Sequence, residues 1–214
     1  MKIYAHRGFS YKYLEATRAA YQGAIEVGAD GFECDVRLTK DGIAVCFHDR
    51  NTTRIAGVRR SVASLTLEEL RGITEVMTLE ELLELAKSNG KHVLIETKHP
   101  VLSGGQIEKR VIELGKQYKF TAMSFSLFAV LRLKRELDEV AFVIAHRWRL
   151  FYIPTNKVAI DVELLEKSRW ARRRVRDREV LVWTVNEKKY IPKLHEWKVS
   201  GAITDRPDLP FRLS

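Results

Sequence analysis

Eight short runs rich in aliphatic residues recur along this chain, and the segments between them carry apolar residues at helical spacing. The runs are Lys2 to Ala5, Gly31 to Leu38, His92 to Thr97, Thr121 to Phe125, Ala141 to Ala145, Val158 to Ile160, Val180 to Val185 and Gly201 to Thr204. Strands that alternate with helices pair in parallel, because each helix is the crossover a parallel pair needs. Eight such units imply an α/β fold of the TIM (β/α)8 barrel type. An open doubly wound sheet is the rival, but no glycine-rich fingerprint opens a first helix. At 214 residues the chain suits one domain, 1–214, at the small end of that class.

Between the strands, the spacing predicts helices over Leu14 to Val27, closed by Gly28, and from Thr78 to about Asn89-Gly90. Others are expected over Gln106 to Tyr118, Leu127 to Leu137, Asp161 to Val175 and Glu187 to Trp197. Thr66 with Glu69, and Thr78 with Glu81, have the spacing of capping boxes.

One interruption breaks the alternation. Residues 43–76 read as a hairpin return followed by a compact basic insertion with one short helix. Successive side chains on a strand point to opposite faces, so Glu33 and Asp35 share a face. If Asp41-Gly42 is a two-residue type I′ loop, Ile43 to His48 returns with His48 opposite Asp35. The flanking Phe32, Cys34, Val36, Val45 and Phe47 are apolar, and burying acids costs several kcal/mol unless they are paired or metal-bound. The same register places Cys34 and Cys46 on opposite faces, as reduced packing residues rather than a disulfide.

Barrel enzymes carry their chemistry at the C-terminal ends of strands. His6 and Arg7 end the first strand here, Glu33 and Asp35 the second, and Glu96 and Lys98 the third. Glu33, Asp35 and Glu96 offer hard oxygen ligands suited to Mg²⁺ or Ca²⁺. Arg7 and Lys98 offset the remaining negative charge and suit a phosphate-sized anion. His6 and His48 have unperturbed pKa values near ~6.5, fit for proton transfer at both ends of a phosphoester cleavage.

His6-Arg7-Gly8, Glu15-Ala16-Thr17, Glu33-Cys34-Asp35, His48-Asp49, Glu96-Thr97-Lys98, Trp183-Thr184-Val185-Asn186 and Gly201 to Asp208 occur in this order. Together they resemble the ordered motifs of the glycerophosphodiester phosphodiesterases. The resemblance implies a barrel hydrolase that cleaves deacylated phospholipids, such as glycerophosphocholine or glycerophosphoethanolamine, into glycerol phosphate and an alcohol. It implies Glu33, Asp35 and Glu96 as metal ligands, and His6 and His48 as the acid/base pair. Arg7 and Lys98 would contact phosphate, Trp183 would wall the substrate pocket, and Glu15 is a candidate at the edge of the metal site. The family route runs through a cyclic phosphate made by the neighbouring glycerol hydroxyl. Ala16 departs from the family, which has Asn there.

The formal net charge of +9 favours an anionic substrate or surface. No stretch has the length of a membrane span, the N-terminus lacks a secretory signal, and the expected compartment is the cytoplasm. Arg169 to Arg178 reads as a solvated helix face, with weak contact to an anionic surface as its other use and no nucleic-acid motif beside it. The readings in competition are a lysophospholipase D-like phosphodiesterase and a non-catalytic barrel that binds anionic surfaces.

Overall fold

The computed structural model describes residues 1–100 and 104–211. The single-domain expectation over 1–214 thus includes residues 101–103 and 212–214, which lie outside the described residues. In chain order the elements begin with β1 (Lys2–His6), α1 (Arg18–Glu26), β2 (Gly31–Leu38), β3 (Ala44–Cys46), α2 (Thr53–Ala56), α3 (Leu67–Arg71) and α4 (Leu79–Ser88). There follow β4 (His92–Thr97), α5 (Gln106–Gly115), β5 (Thr121–Ser124), α6 (Leu127–Leu133), β6 (Val140–Ile144) and β7 (Lys157–Asp161). The chain ends with α7 (Val162–Lys167), α8 (Arg169–Val175), β8 (Glu179–Trp183), α9 (Ile191–Glu196) and β9 (Gly201–Thr204).

All of these strands except β3 pair in parallel in the order β1-β2-β4-β5-β6-β7-β8-β9, and β9 returns to β1 to close the TIM barrel. The barrel interior is filled by Tyr4, Leu94, Met123, Ala141, Val143, Ala159, Leu181 and Ile203. A larger apolar layer lies between strands and helices. It takes in Leu79, Leu82, Leu83 and Ala86 of α4, whose i, i+3, i+4, i+7 spacing makes one buried stripe. The Thr78 hydroxyl accepts from the Glu81 N–H at 3.1 Å, and Glu81 Oε2 accepts from the Thr78 N–H at 2.8 Å, which closes the capping box. Leu82→Ala, at a fully buried site, is expected to lower the unfolding free energy by about 2–5 kcal/mol. Urea denaturation reads this as a lower midpoint at an unchanged slope.

Several expectations are corrected. The first helix begins at Arg18, not Leu14, because the Thr17 hydroxyl accepts from the Ala20 N–H and caps it. Glu15 is therefore no first-turn helix acid. The expected helix over Asp161 to Val175 is two helices, broken at Ser168, which has extended backbone and caps α8 through the Ala171 N–H at 3.1 Å. The segment around Glu187 to Trp197 opens with a 3-10 turn before α9. The insertion holds α2, α3 and a 3-10 turn over a separate small core of Val45, Phe47, Val62, Leu65, Leu70 and Val76.

The hairpin register also differs by one residue. Val36 faces Cys46, Arg37 faces Val45 and Leu38 faces Ala44. The Thr39 N–H donates to Ile43 O at 3.0 Å, and Gly42 has φ +78, so the loop is Lys40-Asp41-Gly42 with glycine in the left-handed position. Asp35 consequently faces Phe47, whose N–H donates to the Asp35 carbonyl at 2.9 Å. Cys46, opposite Val36, shares a face with Cys34, and both are buried free thiols. The hairpin takes over an edge of β2 that β1 vacates, since β1 pairs as far as Glu33 and β3 pairs from Val36 onward.

Candidate active site

The site begins where β1 must turn sharply. Arg7 has φ +55 and Gly8 φ +82, and a Cβ on Gly8 would sit 2.6 Å from the Ala20 backbone. Only glycine lets α1 approach so closely at that conformation. The turn fixes Arg7 through its N–H, which donates to the Glu33 carbonyl at 3.0 Å, and directs its Nε to within 2.7 Å of Asp35 Oδ2.

Parallel register supplies the carboxylates. His6 is level with Glu33, and Asp35 is level with Glu96. Lys98, just past the end of β4, bridges Glu96 at 2.7 Å and Asp35 at 3.1 Å. Burial alone would push the Asp35 carboxyl up, but Lys98 and Arg7 outweigh it and hold it at about 2. Glu96 is pushed up to about 7 by burial and by Asp35, against the pull of Lys98. Glu33 is raised well above the carboxylate range, by burial first and Asp35 second. Its close partners are the Arg7 N–H at 3.3 Å and His6 Nε2 at 3.8 Å.

Each histidine is held by an aspartate. His6 Nδ1 lies 2.6 Å from Asp205 Oδ1, and His48 Nδ1 lies 2.8 Å from Asp49 Oδ1. A carboxylate at Nδ1 fixes the proton there and leaves Nε2 as the exchanging nitrogen. His48 reaches the site beyond the end of β3 rather than by pairing with Asp35, and Arg37 Nε donates to its carbonyl at 2.9 Å. Burial, with Arg7 and Lys98, draws the His48 pKa below its ordinary value against the opposing pull of Asp35.

His6, Arg7, Glu33, Asp35, His48, Glu96, Lys98 and Trp183 all line one cavity of about 160 Å³. Its opposite wall is apolar, with Met123, Phe125, Val143 and Ile203. Trp183 stands edge-on to Phe125 at 5.6 Å, and its buried indole N–H has no protein partner among the described residues.

Glu15 lies outside the cavity lining but inside a charged network. It meets Arg7 at 3.3 Å and Arg54 at 2.6 Å, while Arg54 Nε meets Asp49 Oδ2 at 2.6 Å. The α2 helix of the insertion thus ties the carboxylate that holds His48 to Arg7. Ala16 has φ +59, and its N–H donates to the Arg7 carbonyl at 2.8 Å. Asparagine adopts the left-handed region more readily than alanine, so backbone conformation explains an Asn at this position. Ala16→Asn is expected to raise stability by about 0.5–1 kcal/mol through relief of strain, read as a higher Tm.

Asp205, Asp49, Asn186 and Arg54 received no role from sequence reasoning. Asp205 directly follows β9, so the rule about strand ends points to it. The Asn186 side chain receives the Asp205 N–H at 2.9 Å and donates to its carboxylate, and Ser10 Oγ donates to that carboxylate at 2.9 Å. Despite burial, His6 and these donors hold the Asp205 carboxyl at about 2.

The donor set fits a hard divalent cation. His6, Glu33 and Asp35 place ligand atoms within 4.8 Å of one another. Among the described residues Glu33 is a buried acid with no lysine or arginine side chain in ion-pair contact, although Arg7 and Lys98 act on it from further away, and a bound cation would favour its charged form. Glu96 is level with Asp35 but engaged by Lys98, and stands outside that tight group.

The model of the glycerophosphoryl diester phosphodiesterase family matches residues 6–209. A Mycobacterium tuberculosis protein named "Probable glycerophosphodiester phosphodiesterase 1" is 31% identical over 244 residues, covering 96% of this chain and 89% of its own. A glycerophosphodiester phosphodiesterase of Bacillus altitudinis is 30% identical over 242 residues, covering 99% and 97%. The crystal structure of the glycerophosphodiester phosphodiesterase from Thermotoga maritima superposes with a TM-score of 0.84 at 28% identity, covering 96% of this chain and 95% of that one.

Proposed function

The chain belongs to the glycerophosphoryl diester phosphodiesterase family, and from that premise we propose that it hydrolyses deacylated phospholipids with His48 as first base and His6 as first acid. The observation that carries this reading is the pair of aspartate-held histidines on one cavity with Arg7 and Lys98. The depressed His48 is neutral near neutral pH, so its Nε2 lone pair can take the proton of the glycerol hydroxyl next to the phosphodiester. As that oxygen bonds to phosphorus, the bond from phosphorus to the alcohol breaks, and His6 protonates the departing oxygen. Asp205 holds the His6 ring for that transfer. The cyclic phosphate is then opened by water with the two histidines in reversed roles.

Arg7 and Lys98 stabilise the charge that gathers on the phosphoryl oxygens. The apolar wall with Trp183 and Phe125 receives the glycerol carbons, and the free indole N–H is available to a glycerol oxygen. Glu33, Asp35 and Glu96 would hold Mg²⁺ or Ca²⁺, which leaves the His6 Nε2 to carry its proton. Bound there, the cation supplies Lewis-acid stabilisation of a phosphoryl oxygen. Surface attachment through Arg169 to Arg178 has less support, because Arg172, Arg174 and Arg178 are spent on carbonyls of neighbouring segments. No helix among the described residues is long and apolar enough to cross a membrane.

Release of glycerol phosphate from glycerophosphocholine and glycerophosphoethanolamine, with Mg²⁺, Ca²⁺ or EDTA, tests the proposal. Turnover with either metal and its loss in EDTA are expected. Turnover confined to acylated substrates would favour the lysophospholipase D-like reading instead.

A further inference from the structure

A second cavity, of about 310 Å³, opens between the hairpin loop, the insertion and the start of α5. Three cations line it, Arg37, Lys40 and Arg50, together with the polar Ser61 and Gln106, and no acid among the described residues does. Among the described residues none of the three cations makes an ion pair. Asp41, adjacent to Lys40 in the loop, is turned away to accept from the Leu67 N–H at 3.2 Å. Arg37 is half-buried, and burial together with the nearby Arg50 draws its guanidinium below the ordinary value, against the pull of Asp35. Like charges gathered around a recess repel one another unless an anion joins them.

The place of this recess matters as much as its charge. Arg37 lies two residues beyond Asp35 on the same face of β2, about 7 Å further along the strand. Its Nε also donates to the carbonyl of His48 at 2.9 Å. The recess therefore adjoins the catalytic cavity on the side of His48.

We infer that this recess binds a second phosphate-sized anion, carried on the alcohol portion of the substrate or present as free phosphate. The inference builds on the hydrolase reading for the first of these sources. It extends the substrate class to glycerophosphodiesters whose alcohol is itself anionic. Guanidinium and ammonium groups together give such an anion both directional hydrogen bonds and charge.

The test compares wild type with a K40A/R50A double variant, leaving Arg37 in place because it supports His48. Two diesters are used, glycerophosphoinositol and the same compound with a second phosphate on the ring. Wild type is expected to show a KM about tenfold lower for the phosphorylated ring, roughly the value of one charge-assisted contact. The double variant loses this preference while its turnover of glycerophosphoinositol stays unchanged, which also reports that it folds. In a separate arm inorganic phosphate is titrated against Tm. A phosphate-dependent rise in wild type that shrinks in the double variant, without any ring preference, assigns the recess to free phosphate. That arm reads the recess even in a protein that cleaves neither diester, so failure of the hydrolase reading and failure of the subsite are separate results. Equal KM ratios and equal phosphate shifts in the two proteins overturn the inference.

Discussion

His48→Ala is expected to lower kcat for glycerophosphocholine by about 10²–10⁴, the ordinary contribution of a positioned general base. His6→Ala should cost a similar factor, and the double variant little more than either single one, because the two rings act as a unit in one proton relay. KM should change less than kcat, since Arg7 and Lys98 still line the cavity. The pH profile separates the roles. The His48 pKa is drawn below its ordinary value by burial and by Arg7 and Lys98. A base must be neutral to act, so kcat/KM should fall as pH drops through a value under ~6.5. Asp49 works in the opposite direction, raising His48 through its hydrogen bond. Asp49→Asn should therefore move the acid limb to lower pH while also lowering kcat by loosening the ring. A His48→Ala enzyme with kcat within about threefold of wild type would remove His48 from the chemistry.

The barrel was legible because its signal is repeated. Each strand and helix carries its own periodicity, so a wrong boundary at Leu14 or Leu137 leaves the alternation intact. Arg7, Glu33, Asp35, Glu96 and Lys98 were legible for a related reason, since parallel register brings the ends of neighbouring strands to one level. The hairpin shows where this breaks down. Asp-Gly favours a two-residue loop by local propensity, yet a three-residue loop with Gly42 at positive φ forms instead. The shift by one residue moves Cys46 onto the face of Cys34, and His48 reaches the cavity from beyond the strand. Asp205 and Arg54 depend on contacts across 199 and 39 residues of sequence, which no local pattern carries. Ser168 broke a helix because its hydroxyl competes for the backbone of the next turn, a local effect that the apolar stripe through Leu164, Ala171 and Val175 obscures.

The other large effect is expected at Asp35. This carboxylate is 3% exposed and joins Arg7 and Lys98, so Asp35→Asn leaves two partly buried cations short of a counter-charge. Removing one partner from such a cluster costs about 3–5 kcal/mol, seen as a large fall in the urea midpoint. The change also removes a carboxylate from the group that fits a cation, which gives a readout independent of turnover. In wild type, Mg²⁺ or Ca²⁺ should raise Tm by mass action on the folded state. The rise should depend on pH with a definite sign. Glu96 titrates at about 7, and Glu33 is raised as well, so protons compete with the cation on the acid side. Apparent affinity should weaken by up to about tenfold per pH unit for each proton displaced as pH falls below ~7. Asp35→Asn should show little metal-dependent rise at any pH at which it remains folded. It also relieves Glu96 of the Asp35 repulsion that adds to burial in raising it, so the Glu96 carboxyl should titrate lower, with burial still opposing Lys98. An equal rise in both proteins, or a wild-type rise indifferent to pH, would place the cation elsewhere.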